Sequence, residues 1–170
     1  MIRKLALAAL AAGLIATPAL AAEKLKVETS KGCSFEITLR PDLAPKHVAQ
    51  ITKLAKEGFY NGIIFHRVIE GFMAQTGDPT GTGMGGSKLP DIKAEFTQEP
   101  FKRGTVGMAR SSEPDSANSQ FFMMFAPGDF LNGQYTVWGQ VDETGMQCVD
   151  KIERGEPPAN PDKMIKVTVE

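Results

Sequence analysis

Apolar and polar residues alternate from Leu25 to Thr29 and again from Cys33 to Leu39, with Ser30-Lys31-Gly32 between the two runs. Alternation with period two on both sides of a short turn predicts a β-hairpin. The period then changes. Val48, Ile51, Leu54 and Ala55 recur at helical spacing, Pro45 suits a first helical turn and Gly58 a stop, so an α-helix is predicted over Asp42–Gly58. Short strands are predicted over Ile63–Val68, Gly71–Gln75, Thr105–Ala109, Gln120–Phe125 and Tyr135–Val141, a second helix over Gly145–Arg154, and a closing strand over Met164–Val169. The stretches between them, Thr76–Pro90, Arg110–Ser119 and Glu156–Asp162, are rich in Gly, Ser and Pro and read as loops. No repeat or linker interrupts the pattern, so one domain is expected. Many short strands and only two helices predict a mainly β fold, a closed barrel or a sandwich, with the helices covering its ends.

The first 21 residues follow a different rule. Arg3 and Lys4 precede an uninterrupted small-apolar run from Leu5 to Ile15, and Thr17-Pro18-Ala19-Leu20-Ala21 ends in an A-x-A site. This three-part layout predicts a secretory signal peptide over 1–21, cleaved after Ala21, and a mature domain of about 149 residues over 22–170. A retained anchor helix is the rival, and the Thr17-Pro18 break with small residues beyond it favours cleavage. The expected location is therefore the periplasm. Removing Arg3 and Lys4 leaves 17 cationic against 20 anionic residues, a formal charge of −3 where the whole chain has −1. That balance gives no electrostatic case for nucleic acid or, once the leader is gone, for a membrane surface. A monomer is expected.

Cys33 and Cys148 both lie in the exported part. Their spacing fits neither a redox nor a zinc pattern. Two separate thiols and a bridge joining the ends of the chain remain as alternatives, and the spacing alone leans to the former; an oxidising compartment permits the latter.

Candidate chemistry is sparse. Gly81-Thr82-Gly83-Met84-Gly85-Gly86 spells G-x-G-x-x-G, but Pro90 follows where a dinucleotide site needs a helix, so a surface loop is expected. The two histidines, His47 and His66, belong to no metal-spaced cluster, and no Gly-x-Ser-x-Gly elbow supports a nucleophilic triad. His66 is expected to hydrogen-bond locally. No metal or cofactor is expected. What stands out is Arg67, set in the apolar run Phe65–Met73, with Gln75 eight positions on and Gln120 in a second apolar cluster, Ser119-Gln120-Phe121-Phe122. The ordinary reading of such an arginine is a surface ion pair. The other is a hydrophobic groove holding one cation and two amides, in which strand alternation would put Arg67 on a side with Phe65 and Ile69, and Met73 with Gln75. A guanidinium has donors and no acceptor, so a glutamine carbonyl can orient it.

These motifs resemble a known family. Phe65-His66-Arg67-Val68-Ile69 and Gly71-Phe72-Met73-Ala74-Gln75-Thr76-Gly77-Asp78 are similar to the signature of the cyclophilins, the cyclosporin-type peptidyl-prolyl cis-trans isomerases. Gly107-Met108-Ala109, Ser119-Gln120-Phe121-Phe122, Phe130-Leu131-Asn132-Gly133 and Thr136–Val141 resemble further family segments in the same order. The resemblance spans Leu25 to the C-terminus and is nearest to bacterial exported members. It implies an eight-stranded antiparallel closed β-barrel capped by two α-helices. By position it implies a catalytic role for Arg67 and a proline-ring pocket of Phe72, Met73, Phe122 and Leu131. It implies polar contacts from Gln75 and Gln120, and backbone contacts from Ala109 and Arg110 to the residues before the proline. Phe130 stands where many members have a tryptophan that contacts cyclosporin, which implies weak cyclosporin binding with catalysis intact. Tyr135 stands for a histidine as pocket wall, and Arg110 for an asparagine that acts through backbone. The implied substrates are proline-containing segments of folding exported proteins, and the alternative on the same fold is a weakly catalytic proline-binding module or chaperone. A barrel hollow enough for a small apolar ligand is disfavoured by the density of Phe, Ile and Met in the strands.

Overall fold

The computed structural model describes residues 21–170; the leader expected over 1–21 lies, but for its last residue, outside them. The chain runs β1 (Lys24–Thr29), β2 (Ser34–Leu39), α1 (Pro45–Lys56), β3 (Arg67–Ile69), β4 (Met73–Thr76), β5 (Thr105–Met108) and β6 (Phe121–Met124). A 3-10 turn over Asp129–Leu131 follows, then β7 (Val137–Val141), α2 (Glu143–Val149) and β8 (Met164–Val169). Every expected element exists. Their ends move: α2 starts at Glu143 because the Asp142 carboxylate accepts the Gly145 N–H, and it stops at Val149 instead of Arg154.

All eight strands form one antiparallel sheet in the order β3-β4-β6-β5-β7-β2-β1-β8. The expected closed barrel is corrected here: the sheet is an open half-barrel. Its edge strands β3 and β8 share no ladder. The chain ahead of β3 meets the start of β8 only through an isolated bridge at Ile64–Lys163 and a few neighbouring backbone bonds, such as Phe65 N–H to Asp162 C=O at 2.8 Å. The three residues of β3 form their ladder with β4.

Side-chain alternation divides the core into two clusters. On β6, Phe121 and Met123 enter the main core with Tyr60, Phe65 and Trp138, while Phe122 and Met124 enter a second cluster with Met73, Phe101, Leu131 and Val137. On β4, Ala74 belongs to the first and Met73 to the second. Both faces of β5 and β6 are thus covered, which is why these strands read as unbroken apolar runs. The interior is filled: the Phe121 ring meets Tyr60 and Trp138 edge-on at 5.5 and 5.3 Å.

The ends are tied by two devices. Cys33 and Cys148 form a disulfide, with Cα atoms 5.9 Å apart at a sequence separation of 115. This corrects the leaning toward separate thiols. Spacing along the chain carries no information on the packing of α2 against β2, which brings the two sulfurs together. A loop of that size removes about 4–5 kcal/mol of unfolded-chain entropy in the chain-entropy account. At α1, the preceding Ala44 offers no side-chain cap, and Glu95 from a distant loop takes over. Its carboxylate accepts the N–H groups of Lys46 and His47 and bonds His47 Nδ1 at 2.6 Å. His47 is fully buried with Nε2 unpartnered, and burial lowers its pKa against the pull of Glu95.

Candidate active site

Strand register assembles the site. Arg67 on β3 faces Gln75 on β4, Gln75 faces Phe122 on β6, and Phe122 faces Gly107 on β5. Directly opposed residues share a sheet face, so a cation, an amide and an aromatic ring line up across three strands. The next rung is Ile69, Met73 and Met124. Gly107 supplies no side chain because there is no room: a Cβ there would lie 2.6 Å from the rings of both Phe101 and Phe122. Those rings stack at 5.8 Å, with Phe101 fully buried behind the Phe122 ring that lines the site.

Above this row lies a groove of about 520 Å³, whose lining includes Arg67, Phe72, Met73, Gln75, Ala109, Arg110, Phe122, Leu131 and Tyr135. Nine of the eleven residues expected in the site are therefore brought together. Phe130 sits at the rim, 71% exposed, with its ring 5.5 Å from that of Phe72. Gln120 lines a second groove of about 500 Å³, which shares Gln75, Gly83, Ala109 and Arg110 with the first. The Tyr135 ring meets Phe122 edge-on at 5.9 Å and carries the Arg110 guanidinium 4.6 Å over its face. Arg110 is held there by donating from Nε and Nη2 to the Gln134 carbonyl.

The polar side is a directed chain of hydrogen bonds. Arg67 Nη1 donates to Gln75 Oε1 at 3.4 Å, Gln75 Nε2 donates to Gln120 Oε1 at 3.0 Å, and Gln120 Nε2 donates to the carbonyls of Gly83 and Gly85 at 3.0 and 2.8 Å. Both amide orientations are forced, because the guanidinium only donates and the carbonyls only accept. The far end is equally anchored. Asp78 accepts from Thr80 N–H and Oγ1 and from the N–H groups of Gly83 and Gly85. Burial alone would raise its pKa; the bonds from Thr80, Gly85 and Gly83 outweigh it and hold it at about 2. The Gly-rich stretch expected as a surface loop is thus a wall between the grooves, with Gly81, Thr82 and Gly83 lining the first. Gly77 permits the approach: its φ is +91°, and a Cβ there would lie 2.4 Å from the Ser119 carbonyl oxygen.

Two expectations about the neighbourhood of Arg67 are corrected. Phe65 does not share its side; residues 65 and 66 precede β3, and Phe65 turns into the main core. His66 makes no local hydrogen bond. It is 6% exposed, lines the groove, and both ring nitrogens are unpartnered; burial lowers its pKa, with Asp78 opposing and Arg67 adding to that effect. The carboxylate beside Arg67 is Glu156, whose Oε1 accepts from Arg67 Nε at 3.0 Å, while Glu70, nearer in sequence, pairs with Arg154. The ordinary reading of Arg67 as half of an ion pair and the groove reading therefore both hold. Glu156 and Pro157 line the groove from 89 residues downstream, and no local pattern announces them.

The comparisons agree with this geometry. The family model "Cyclophilin type peptidyl-prolyl cis-trans isomerase/CLD" matches residues 24–169. A Brucella suis protein described as "Probable peptidyl-prolyl cis-trans isomerase" is 54% identical over 97% of this chain and 92% of its own. A Helicobacter pylori peptidyl-prolyl cis-trans isomerase is 43% identical over 76% of this chain and 80% of its own. Among solved structures, a cyclophilin from Hirschia baltica superimposes with a TM-score of 0.77 at 31% identity, over 85% of this chain and 73% of that one. A cyclophilin-type isomerase from Cryptosporidium parvum, crystallised in the presence of the dipeptide Ala-Pro, gives 0.78 at 26% identity over 86% and 98%. With a matching fold, a family model over almost the whole described chain and relatives above half identity, the chain belongs to the cyclophilin-type peptidyl-prolyl cis-trans isomerases and has that enzyme activity.

Proposed function

We propose that the enzyme is exported and turns X–Pro bonds of folding exported proteins, with Arg67 stabilising the twisted amide. An X–Pro bond has a rotation barrier of about 18–20 kcal/mol and exchanges unaided over tens to hundreds of seconds. At mid-rotation its nitrogen loses conjugation, becomes pyramidal and carries a localised lone pair. A donor aimed at that lone pair favours the twist over the planar ground state, which is the condition for catalysis. The supporting observation is the chain from Asp78 through the glycine carbonyls, Gln120 and Gln75, which holds the Arg67 guanidinium at the mouth of an apolar pocket. Met73, Phe122 and Leu131, almost fully buried, and Phe72 would grip the proline ring while the preceding carbonyl rotates, with Ala109 and Arg110 against the residues before it. No nucleophile or general base enters this scheme.

One charge-assisted hydrogen bond is worth roughly 1.5–3 kcal/mol, and about 1.4 kcal/mol is tenfold in rate. Arg67→Ala should therefore slow isomerisation of a proline peptide by about 10–100-fold. A near-normal rate would remove Arg67 from the mechanism. Export is supported by the leader pattern ahead of Ala22 and by the Cys33–Cys148 bridge, a linkage that oxidising compartments preserve. Cell fractionation with N-terminal sequencing tests it: the expected product is periplasmic and starts near Ala22, and an intact cytoplasmic chain would overturn it. The exposed Phe130 ring in place of a broader indole supports weak cyclosporin inhibition.

A further inference from the structure

We propose that Glu156 is a positioning residue for Arg67, fixing which edge of the guanidinium faces the substrate; this rests on the role just given to Arg67. Val68 and Gly155 exchange two backbone hydrogen bonds, at 2.8 and 2.7 Å, in an antiparallel bridge. In that register the residue before Val68 lies opposite the residue after Gly155, so Arg67 and Glu156 become cross-strand neighbours. Glu70 and Arg154 pair on the other side of the same bridge. Gly155 cannot be displaced by a larger residue without moving the segment, since a Cβ there would stand 2.5 Å from the Pro158 Cα. The backbone therefore delivers the Glu156 carboxylate to Arg67 without relying on the ion pair itself.

That distinction matters because the pair is wet. The side chains of Arg67 and Glu156 are 43% and 55% exposed, and pairs of that kind add little to stability. Their geometry does something else. Glu156 takes Nε and Gln75 takes Nη1, from opposite ends of the planar fork. Among the described residues Nη2 has no partner, and it is the nitrogen left to meet a substrate amide. With Nε released, the guanidinium could turn about its last torsion while Gln75 still held one corner through a long, 3.4 Å bond. Loss of orientation lowers turnover and leaves substrate binding alone, because the proline pocket is built from other residues.

The experiment is a double-mutant cycle on isomerisation of a proline peptide, with kcat and KM resolved. Glu156→Ala is expected to lower kcat about three- to tenfold with KM unchanged. Glu156→Gln, whose carbonyl still accepts from Nε, should return to within about twofold of the parent, and in an Arg67→Ala background Glu156→Ala should have no further effect. The Arg67 Nε–H resonance should exchange faster with solvent in Glu156→Ala than in Glu156→Gln. Unchanged kcat in Glu156→Ala, or an equal loss with and without Arg67, overturns the proposal alone. So does a loss confined to KM for peptides carrying lysine near the proline, which would make Glu156 a substrate contact. A full rate for Arg67→Ala overturns the arginine's role, and this proposal with it.

Discussion

The two walls of the groove are built on different physics. The apolar wall of Met73, Phe122 and Leu131 is almost entirely buried and belongs to a packed cluster that includes Phe101, Met124 and Val137. The polar wall of Arg67, Gln75 and Gln120 is partly open to solvent and is held by single hydrogen bonds in series. Packing fixes position through many weak contacts, so the apolar wall is rigid at the cost of being inseparable from the fold. A hydrogen-bonded chain fixes orientation through few contacts, so the polar wall can be altered while the protein stays folded. Binding and stability should therefore change together on one side, and turnover alone on the other.

The largest effect expected is on the apolar side. Phe122→Ala opens a cavity beside Phe101 and should cost about 3–5 kcal/mol in denaturant unfolding, with proline-peptide affinity falling in parallel. A loss below about 1 kcal/mol would break the claim that this wall is part of the core. Arg67→Ala comes next, with its rate loss of about 10–100-fold accompanied by a stability change within about 0.5 kcal/mol. If Arg67→Ala unfolded the protein, the contrast between the walls would disappear.

Gln120→Ala tests the middle of the polar chain. It removes the link between Gln75 and the glycine loop, and it should slow turnover about three- to tenfold with stability within about 1 kcal/mol of the parent. An unchanged rate would show that Gln75 orients Arg67 unaided.

The smallest effect is in pH dependence, and it acts through His66 in the groove and His47 under α1, outside both walls. Burial depresses both below the ordinary 6.5. The folded protein then binds fewer protons than the unfolded chain below that value, so their contribution is complete above about pH 6.5 and falls as the pH drops through it. Asp78 and Glu95, also depressed, contribute above the usual carboxylate range, and that contribution is lost as the pH falls through it, for Asp78 toward about 2. Unfolding free energy should decline as the pH falls through about 6.5 and again below about 4. Replacing His47 with glutamine should flatten the first decline, and a level profile there in the parent would contradict the burial of both histidines.

Much of this was legible along the chain because it is local. Alternation in β1, β2 and β6, the helical spacing of Val48 to Ala55, and the ordered motifs around Arg67, Gln120 and Phe130 all depend on residues a few positions apart. They determined the elements, the antiparallel β class, the family and nine of the fifteen residues that line the groove. Element ends were less legible, since caps such as Asp142 for α2 and Glu95 for α1 depend on which side chain reaches a free N–H.

What only the tertiary structure decided lies across long separations. The sheet stays open because the chain ahead of β3 meets the chain ahead of β8 at a single isolated bridge and not a ladder. Cys33 meets Cys148 because α2 packs on β2. Phe65 turns inward because β3 begins two residues later. Glu156 reaches Arg67 because one bridge registers Val68 against Gly155. The physical reason is common to all four. Periodicity and propensity describe how a residue treats its neighbours in sequence, whereas register, closure and pairing depend on which backbone groups are left to bond once those elements pack.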